Sequence, residues 1–209
     1  MTSELTILVM AKAPLPGRVK TRLTPPFTPD EAAALAAAAL ADTLQVALAA
    51  PARRRVVVLD GAPGDWLPAG FDVLPQVRGG LDERIAAALD TVTGAVLLVG
   101  MDTPQMTVSQ LTVSFAAHDA WFGPAEDGGF WALGLARSDP TLVRGVPMSR
   151  DCTGAVQVGR LVDAGLRVGM LPRLRDVDTA ACAVEVAALA PHTRFAALHT
   201  RFTAGAVRA

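Results

Sequence analysis

The chain has 209 residues, of which 51% are hydrophobic and 19% are charged, and its formal net charge is -1. This length fits one domain that can bury its own core, and the composition is far from that of a disordered chain. Because there is no overall basic charge, we expect neither a nucleic-acid nor a membrane partner, and any phosphate binding must be local.

The cysteines and the N-terminal residues bear on the cellular compartment. Cys152 and Cys182 form no CxxC motif and no Cys/His cluster, which argues against a disulfide framework and against a zinc site. The N-terminus carries an acid where a signal peptide carries bases, and the apolar stretch at residues 32–41 is about half of the ~20 residues that span a bilayer. We therefore expect a cytoplasmic protein without a transmembrane helix.

Strand and helix patterns alternate along the chain. Residues 5–11 predict a buried strand, and the capping box of Thr28 and Glu31, with Pro29 at the first helical position, predicts a helix that ends near residue 50. Arg53, Arg54 and Arg55 are interpreted as a solvated turn before the second strand. The further predicted strands are residues 56–60, 71–74, 95–99, 120–122, 130–135 and 167–171, and the further predicted helices are residues 81–92, 107–117, 153–164 and 179–189.

This alternation predicts a single-domain α/β protein with a mostly parallel, doubly wound sheet. The strands at residues 120–122 and 130–135 are candidates for a hairpin. The predicted domain covers residues 1–190, and residues 191–209, which show no persuasive pattern, are predicted to be a C-terminal tail. In such sheets, ligands bind beyond the carboxyl ends of the strands, so the segments that follow the strands are the candidate site.

The first of these segments is a proline-rich loop with alternating cations. If this loop is extended, Arg18, Lys20 and Arg22 point to one side and converge on one anion, with Lys12 just before them. Lys12 and Lys20 are the two lysines of the chain, and every other basic side chain apart from histidine is arginine. Because an ammonium and a guanidinium differ at a phosphate site, their retention here favours phosphate binding over a solvated basic turn.

Two common phosphate-binding motifs are absent from this loop. It matches neither G-x-x-x-x-G-K-[ST] nor G-x-G-x-x-G, which argues against a P-loop NTPase and against a dinucleotide-binding domain.

Acidic side chains follow two later strands. Asp102 comes directly after the strongest strand pattern and can hold Mg²⁺ or Mn²⁺ there, with a helix cap or turn role as the alternative. Asp127 precedes two glycines in the segment GPAEDGG, for which a functional loop and a plain hairpin turn are equally good interpretations. Asp176 and Asp178 either bind a metal or cap the last helix, and capping is favoured. The three histidines have no partner at a spacing typical of a nucleophilic triad, and we interpret them as structural or exposed.

Four segments taken in order, AKAPLPGRVKTRL, LVGMDTP, GPAEDGGFWALGL and RDVDT, resemble the DUF2064 family of candidate glycosyltransferases over about residues 5–180. The resemblance implies the GT-A fold of nucleotide-diphospho-sugar transferases and Mg²⁺ or Mn²⁺ as cofactor, and it extends to nucleotidylyltransferases such as the molybdenum cofactor and phospholactate guanylyltransferases. It implies nucleotide binding by Ala11, Lys12, Pro16, Gly17, Arg18, Lys20, Arg22, Gln76 and Gly79. It also implies metal binding by Asp102 and Asp178, and catalytic roles for Asp102 and Asp127.

The leading hypothesis is the transfer of a sugar from a nucleotide diphosphate sugar to a small acceptor, in which the metal and the basic loop stabilise the departing diphosphate. Nucleotidyl transfer with release of pyrophosphate uses the same residue types and is the main alternative. A nucleotide-binding protein without catalysis is the third. Gly100 stands where GT-A enzymes often have the first acid of an Asp-x-Asp pair, so a complete metal site needs Asp127 or Asp178 beside Asp102.

Overall fold

The computed structural model describes residues 4–206. The strands are β1 (Thr6–Lys12), β2 (Arg54–Asp60), β3 (Asp72–Pro75), β4 (Val96–Gly100), β5 (Ala120–Pro124), β6 (Phe130–Leu135) and β7 (Val168–Met170). The helices are α1 (Pro29–Ala49), α2 (Leu81–Asp90), α3 (Val108–Leu111), α4 (Thr153–Asp163), α5 (Ala180–Leu189) and α6 (Arg194–Ala206).

All seven strands lie in one sheet with the order β3-β2-β1-β4-β6-β5-β7. β1 is parallel to β2 and β4, β2 is parallel to β3, and β5 is parallel to β7, whereas β6 runs antiparallel to β4 and β5. The single-domain α/β prediction with a mostly parallel sheet is confirmed, and so is the hairpin of β5 and β6. The carboxyl ends of β1, β2, β4 and β5 therefore meet at one edge of the sheet.

The central strands are buried on both faces, as expected of a doubly wound sheet. Ile7 and Val9 of β1 pack in a cluster with Leu40 and Leu44 of α1. Leu8 and Met10 point to the opposite face and pack in a cluster that contains residues of α2 and α4. Because successive side chains of a strand alternate between faces, one apolar run supplies both layers of the core.

Helix α1 begins where the sequence predicts. The Thr28 hydroxyl accepts a hydrogen bond from the Glu31 N–H (3.2 Å), and the Glu31 carboxylate accepts one from the Thr28 N–H (2.8 Å). By length and composition alone α1 could cross a membrane, since it has 21 residues and a mean hydropathy of 1.6 over the most apolar stretch. Core helices pass the same test, and 56% of that stretch is buried against the sheet and α6. We therefore describe α1 as a core helix.

Two local predictions are wrong. The helix predicted at residues 107–117 ends at Leu111, where the hydroxyl of β-branched Thr112 donates to the carbonyl of Val108 (2.8 Å) and the following residues leave the helix to pack on the core. Arg55, expected in a solvated turn, instead donates to the carbonyls of Ala47 (2.7 Å) and Ala50 (2.6 Å). It thus satisfies carbonyls that the end of α1 leaves without an intrahelical partner.

The C-terminal segment also differs from the prediction. Residues beyond 190, for which no pattern was found, include α6, and this helix packs against α1 and α5. Phe195 of α6 is fully buried in a cluster with Leu35 of α1 and Val186 of α5. The domain boundary at residue 190 stays a prediction, although the residues after it share a core with the residues before it.

Candidate functional site

A cleft of about 380 Å³ opens at the edge of the sheet where β1, β2 and β4 end. One wall comes from the end of β2 and from α2, and the other comes from the β5–β6 loop and from residues 148–153. A second pocket of about 270 Å³ lies under the basic loop. Lys12, Met101 and Asp102 line both, so the two pockets adjoin. Their sizes are of the order of small-molecule sites.

The four cations that were predicted to converge line the smaller pocket together. Its lining includes Lys12, Arg18, Lys20 and Arg22, with the carboxylates of Asp102 and Asp178 beside them. The convergence does not come from an extended segment, as predicted, because the chain folds into turns and a short 3-10 helix at Thr21–Leu23. The tight backbone, rather than alternation along a strand, brings the cations to one place.

Lys20 is the residue through which this loop contacts the segment after β4. Its backbone is left-handed, with φ 49°, a conformation that is uncommon for a residue with a side chain. Its ammonium lies 2.8 Å from Oδ2 of Asp102, and only 10% of the side chain is exposed. The ion pair joins the basic loop to the segment after β4, which are the two segments that the sequence analysis singled out first.

The second carboxylate oxygen of Asp102 has an unusual environment. Oδ1 is buried and has no hydrogen-bond partner among the described residues. The hydroxyl of neighbouring Thr103 is also buried and also has no partner among them. The backbone of Asp102 is held in place because its carbonyl accepts a hydrogen bond from the Val177 N–H (2.9 Å). A buried carboxylate oxygen normally has a donor, a water molecule or a cation as partner, so Oδ1 is an available ligand atom.

Asp178 does not have the favoured capping role. Thr179, not Asp178, caps α5, since its hydroxyl accepts from the Cys182 N–H (3.2 Å). The Asp178 carboxylate lies 2.6 Å from the Arg22 guanidinium, and this hydrogen bond raises the pKa of Arg22. Metal binding by Asp178 stays a prediction, and it requires this ion pair to open.

The loop after β5 places Asp127 on the wall of the larger cleft. One Asp127 carboxylate oxygen accepts a hydrogen bond from the Gly129 N–H (2.8 Å). Gly128 has φ +87°, and a Cβ added to it would lie 2.1 Å from the carbonyl oxygen of Asp151. The Gly128 carbonyl also accepts a hydrogen bond from the Gly154 N–H (2.7 Å). The glycines therefore allow the loop to pack against the start of α4, which a plain hairpin turn does not require.

Asp176 is a cleft residue that the sequence interpretation placed in a capping role. It lines the larger cleft together with Asp127 and Asp102. Burial raises the pKa of Asp176, and the negative charge of Asp127 raises it further, while Lys20 acts in the opposite direction. The segment RDVDT indicated either metal-binding or capping acids, but local sequence did not distinguish a helix cap from a carboxylate that faces the cleft.

The opposite wall holds a polar network that the sequence analysis missed in part. Arg84 donates to Gln76 Oε1 (3.3 Å) and contacts Asp60 Oδ2 (3.4 Å), and Asp60 also lies 3.7 Å from the Lys12 ammonium. The Gln76 amide nitrogen donates to the carbonyls of Ala11 and Val58, each at 2.9 Å. Gln76 lines the cleft and uses its amide donors on the backbone, and Asp60 and Arg84 are further polar side chains of this wall. The role of Gln76 in nucleotide binding stays a prediction.

Three predicted nucleotide-binding residues lie apart from both pockets. Pro16, Gly17 and Gly79 line neither of them, while Ala11 lines the larger cleft. Gly17 has φ +70°, and a Cβ added to it would meet no atom within 4 Å, while Gly79 has φ +121°, so both serve turns of the backbone. Their roles in nucleotide binding stay predictions.

The histidines are also outside the cleft. His199 is buried beside the rings of Phe27 and Phe195, and burial lowers its pKa. His118 contacts Trp121, and His192 is exposed. This agrees with their interpretation as structural or exposed residues.

The residues of this site fit a divalent cation that is bound together with a ligand. Within residues 4–206 no three acidic, histidine or cysteine side chains come close enough to hold a metal between them. Asp102 supplies a buried oxygen without a partner, and Asp127 and Asp176 add negative charge nearby. Mg²⁺ commonly uses one or two carboxylates together with substrate phosphates, and the donor set here fits that arrangement.

Comparison of the sequence with family models gave a match over residues 34–150, which is more than half of the chain, to the family described as "uncharacterized protein conserved in bacteria". The chain belongs to the DUF2064 family. The matched stretch of this DUF2064 protein contains Asp60, Asp102 and Asp127, and it begins after the basic loop. No curated protein matched the sequence.

Solved structures share this fold. A candidate nucleotide-diphospho-sugar transferase from Desulfovibrio desulfuricans G20 is 27% identical, with a TM-score of 0.84, and the superposition covers 97% of the DUF2064 chain and 96% of the other. The similarity extends over nearly the whole of both chains.

Two more distant structures show the fold alone. Rv0371c from Mycobacterium tuberculosis H37Rv, in complex with manganese, is 23% identical with a TM-score of 0.55, covering 89% of this chain and 98% of the other. A CMP:2-keto-3-deoxy-manno-octonic acid synthetase in complex with CTP is 14% identical with a TM-score of 0.57, covering 90% and 98%.

Proposed function

We propose that this DUF2064 protein is a transferase that uses a nucleotide-activated donor, and that it moves a sugar from a nucleotide diphosphate sugar to a small acceptor with the help of Mg²⁺ or Mn²⁺. The observation that carries the proposal is the convergence of four cations beside Asp102 at the carboxyl edge of the sheet. The likeness to the Desulfovibrio protein supports the same class of donor. The cysteine usage supports a cytoplasmic location, where such donors are available.

The site chemistry follows from the charges. The bond between the anomeric carbon and the diphosphate oxygen breaks, the acceptor oxygen bonds to the same carbon, and the departing diphosphate keeps the electron pair. Lys12, Arg18 and Lys20 stabilise the charge that develops on this leaving group. Asp102 would hold the metal, which when bound supplies further positive charge to the diphosphate. Asp127 lies on the wall of the larger cleft, where it can accept the proton that the acceptor loses.

Nucleotidyl transfer is the second candidate. It is favoured by one observation, since a synthetase in complex with CTP shares the fold over 90% of this chain. In that reaction an acceptor oxygen bonds to the α-phosphorus of a nucleoside triphosphate and pyrophosphate leaves. The same cations then stabilise pyrophosphate rather than a nucleoside diphosphate.

The test begins with a thermal-shift screen of nucleoside diphosphates, triphosphates and nucleotide sugars in Mg²⁺, Mn²⁺ or EDTA. A ligand present at 100 times its Kd stabilises the protein by about 2.7 kcal/mol. The stabilising donors are then incubated with a panel of sugar and alcohol acceptors. Release of a nucleoside diphosphate supports sugar transfer, and release of pyrophosphate from a triphosphate supports the second candidate. Tight binding without any turnover across the panel contradicts both and indicates a nucleotide-binding protein without catalysis.

A further inference from the structure

Two cations of the basic pocket are already in contact with carboxylates. Lys20 lies 2.8 Å from Asp102, and Arg22 lies 2.6 Å from Asp178. Both acids are the ones expected to bind the metal. A cation that approaches Asp102 therefore meets the Lys20 ammonium at the same carboxylate.

We infer that Lys20 keeps a divalent cation from binding at Asp102 until a diphosphate group occupies the basic pocket, so that the site takes the diphosphate and the cation together as a chelate. This inference rests on the proposed function, because it concerns the same diphosphate. It adds that the diphosphate is bound as a chelate with the cation, and it assigns the coupling between diphosphate binding and cation binding to the Lys20 side chain.

The physical basis is competition at one carboxylate. Only 10% of the Lys20 side chain is exposed, so water screens its charge from Asp102 poorly. A divalent cation bound to Asp102 would lie within a few ångströms of the ammonium, and their repulsion opposes metal binding. A diphosphate removes this opposition because it offers the ammonium another anion, and the flexible lysine stem allows the ammonium to move to it.

Arg18 provides the first contact for such an anion. It lines the same pocket, is exposed and forms no ion pair within residues 4–206. A diphosphate can therefore bind to Arg18 before any ion pair opens. Lys20 and Arg22 then turn from Asp102 and Asp178 to the phosphate oxygens, and the two carboxylates become available to the cation.

Lys12 is a matched control for Lys20. The two residues are the only lysines in the sequence, and both line the basic pocket. Lys12 is paired with Asp60, at the longer distance of 3.7 Å, and 48% of its side chain is exposed. Replacing either lysine with methionine removes one positive charge from the pocket, but only one of the two replacements removes the group that contacts Asp102.

The decisive experiment measures Mn²⁺ binding by the electron paramagnetic resonance signal of free Mn²⁺ in the wild type, in Lys20→Met and in Lys12→Met, and it measures binding of inorganic pyrophosphate to the wild type by isothermal titration without and with Mn²⁺. We expect Lys20→Met to bind Mn²⁺ alone at least about fivefold more tightly than the wild type, and Lys12→Met to change the affinity by at most about twofold. Equal affinities of the two variants for Mn²⁺ alone would overturn the inference while leaving the proposed function intact. Absence of pyrophosphate binding to the wild type, with or without Mn²⁺, would overturn both.

A second measurement needs no variant. Reductive ¹³C-methylation labels both lysines of the wild type and preserves their positive charge, so each can be followed by NMR. We expect Mg²⁺ alone to leave the Lys20 signal in place and Mg²⁺ with pyrophosphate to shift it. A shift of the same size with Mg²⁺ alone would contradict the inference.

Discussion

The Asp42 carboxylate in the middle of α1 accepts hydrogen bonds from the backbone N–H groups of Arg194 (3.1 Å) and Phe195 (2.9 Å) in the first turn of α6. The Asp42 side chain is 8% exposed. A helix start leaves its first N–H groups without intrahelical partners, and here a residue from another helix satisfies two of them. The same helix contacts the end of the basic loop, because the ring of Phe27 lies 5.7 Å from that of His199.

We predict that Asp42→Ala lowers the free energy of unfolding by about 2 kcal/mol, because the N–H groups of Arg194 and of buried Phe195 lose their acceptor. Urea denaturation followed by circular dichroism measures the change. Asp163→Ala, at an exposed position at the end of α4, is the control and should stay within about 0.5 kcal/mol of the wild type. Equal stabilities of the two variants would show that Asp42 does not support α6.

Asp102→Asn tests the metal ligand. The substitution keeps the size of the side chain and removes its charge, so we expect metal-dependent activity to be lost and the fold to be retained. Nucleotide binding in EDTA should be at least as tight as in the wild type, because Lys20 is released from its ion pair. Isothermal titration with a nucleoside diphosphate in Mn²⁺ and in EDTA measures both effects. If the variant keeps the full enhancement by Mn²⁺, Asp102 is not the ligand.

Lys20→Ala tests the phosphate contact. In the presence of Mn²⁺ we expect nucleoside diphosphate binding to weaken by about 1.5 to 3 kcal/mol, as a charge-assisted hydrogen bond is lost. The same titration measures the change. Arg53→Ala, which removes an exposed cation paired with Glu4 away from the pocket, should bind like the wild type. A similar loss in both variants would indicate a general effect of charge instead of a direct contact.

Alanine substitutions at Gly128 and Gly145 distinguish the effect of backbone strain on stability from the effect of close packing. Both have positive φ (+87° and +80°), but an added Cβ would meet the Asp151 carbonyl only at Gly128, and at Gly145 it would meet no atom within 4 Å. We expect Gly145→Ala to cost about 1 kcal/mol of stability and Gly128→Ala to cost more, since the loop must move away from α4. Thermal unfolding measures the difference.

Gly128→Ala should also lower kcat, because Asp127 moves with the loop. An unchanged kcat would argue against Asp127 as the proton acceptor.

The ion pair of Asp119 and Arg167 connects the starts of β5 and β7 and predicts a pH effect. Hydrogen bonds from Arg167 (2.8 Å and 3.1 Å) lower the pKa of Asp119 from its ordinary 3.8 to about 2. A carboxyl group with a lowered folded-state pKa contributes stability above its unfolded value, and this contribution is lost as the pH falls from about 3.8 through about 2. A ¹³C NMR titration of the Asp119 carboxyl should show this pKa in the wild type. In Arg167→Ala the pKa should return toward 3.8, and an unchanged titration would contradict the assignment of its cause.

Most of the secondary structure could be predicted because it depends on near neighbours. The apolar run of β1, the capping box of α1 and the hairpin of β5 and β6 are each encoded within a few residues, and the structure confirms them. The fold class followed from their order. The helix predicted beyond Leu111 was wrong because packing of distant residues outweighed local preference, and α6 was missed because its cap, Asp42, is 152 residues away in the sequence.

The sequence by itself determined which residue types stand after each strand, and the rule that parallel strands present their carboxyl ends at one edge was enough to place Lys20, Asp102 and Asp127 in one region. Only the tertiary structure decided the pairings within it. The left-handed backbone of Lys20 turns its ammonium onto Asp102, the Gln76 amide is used by the backbone, and Asp176 faces the cleft while Thr179 caps the helix. These outcomes depend on side-chain direction and on contacts between segments that lie far apart in the chain, and such contacts exist only once the sheet has assembled.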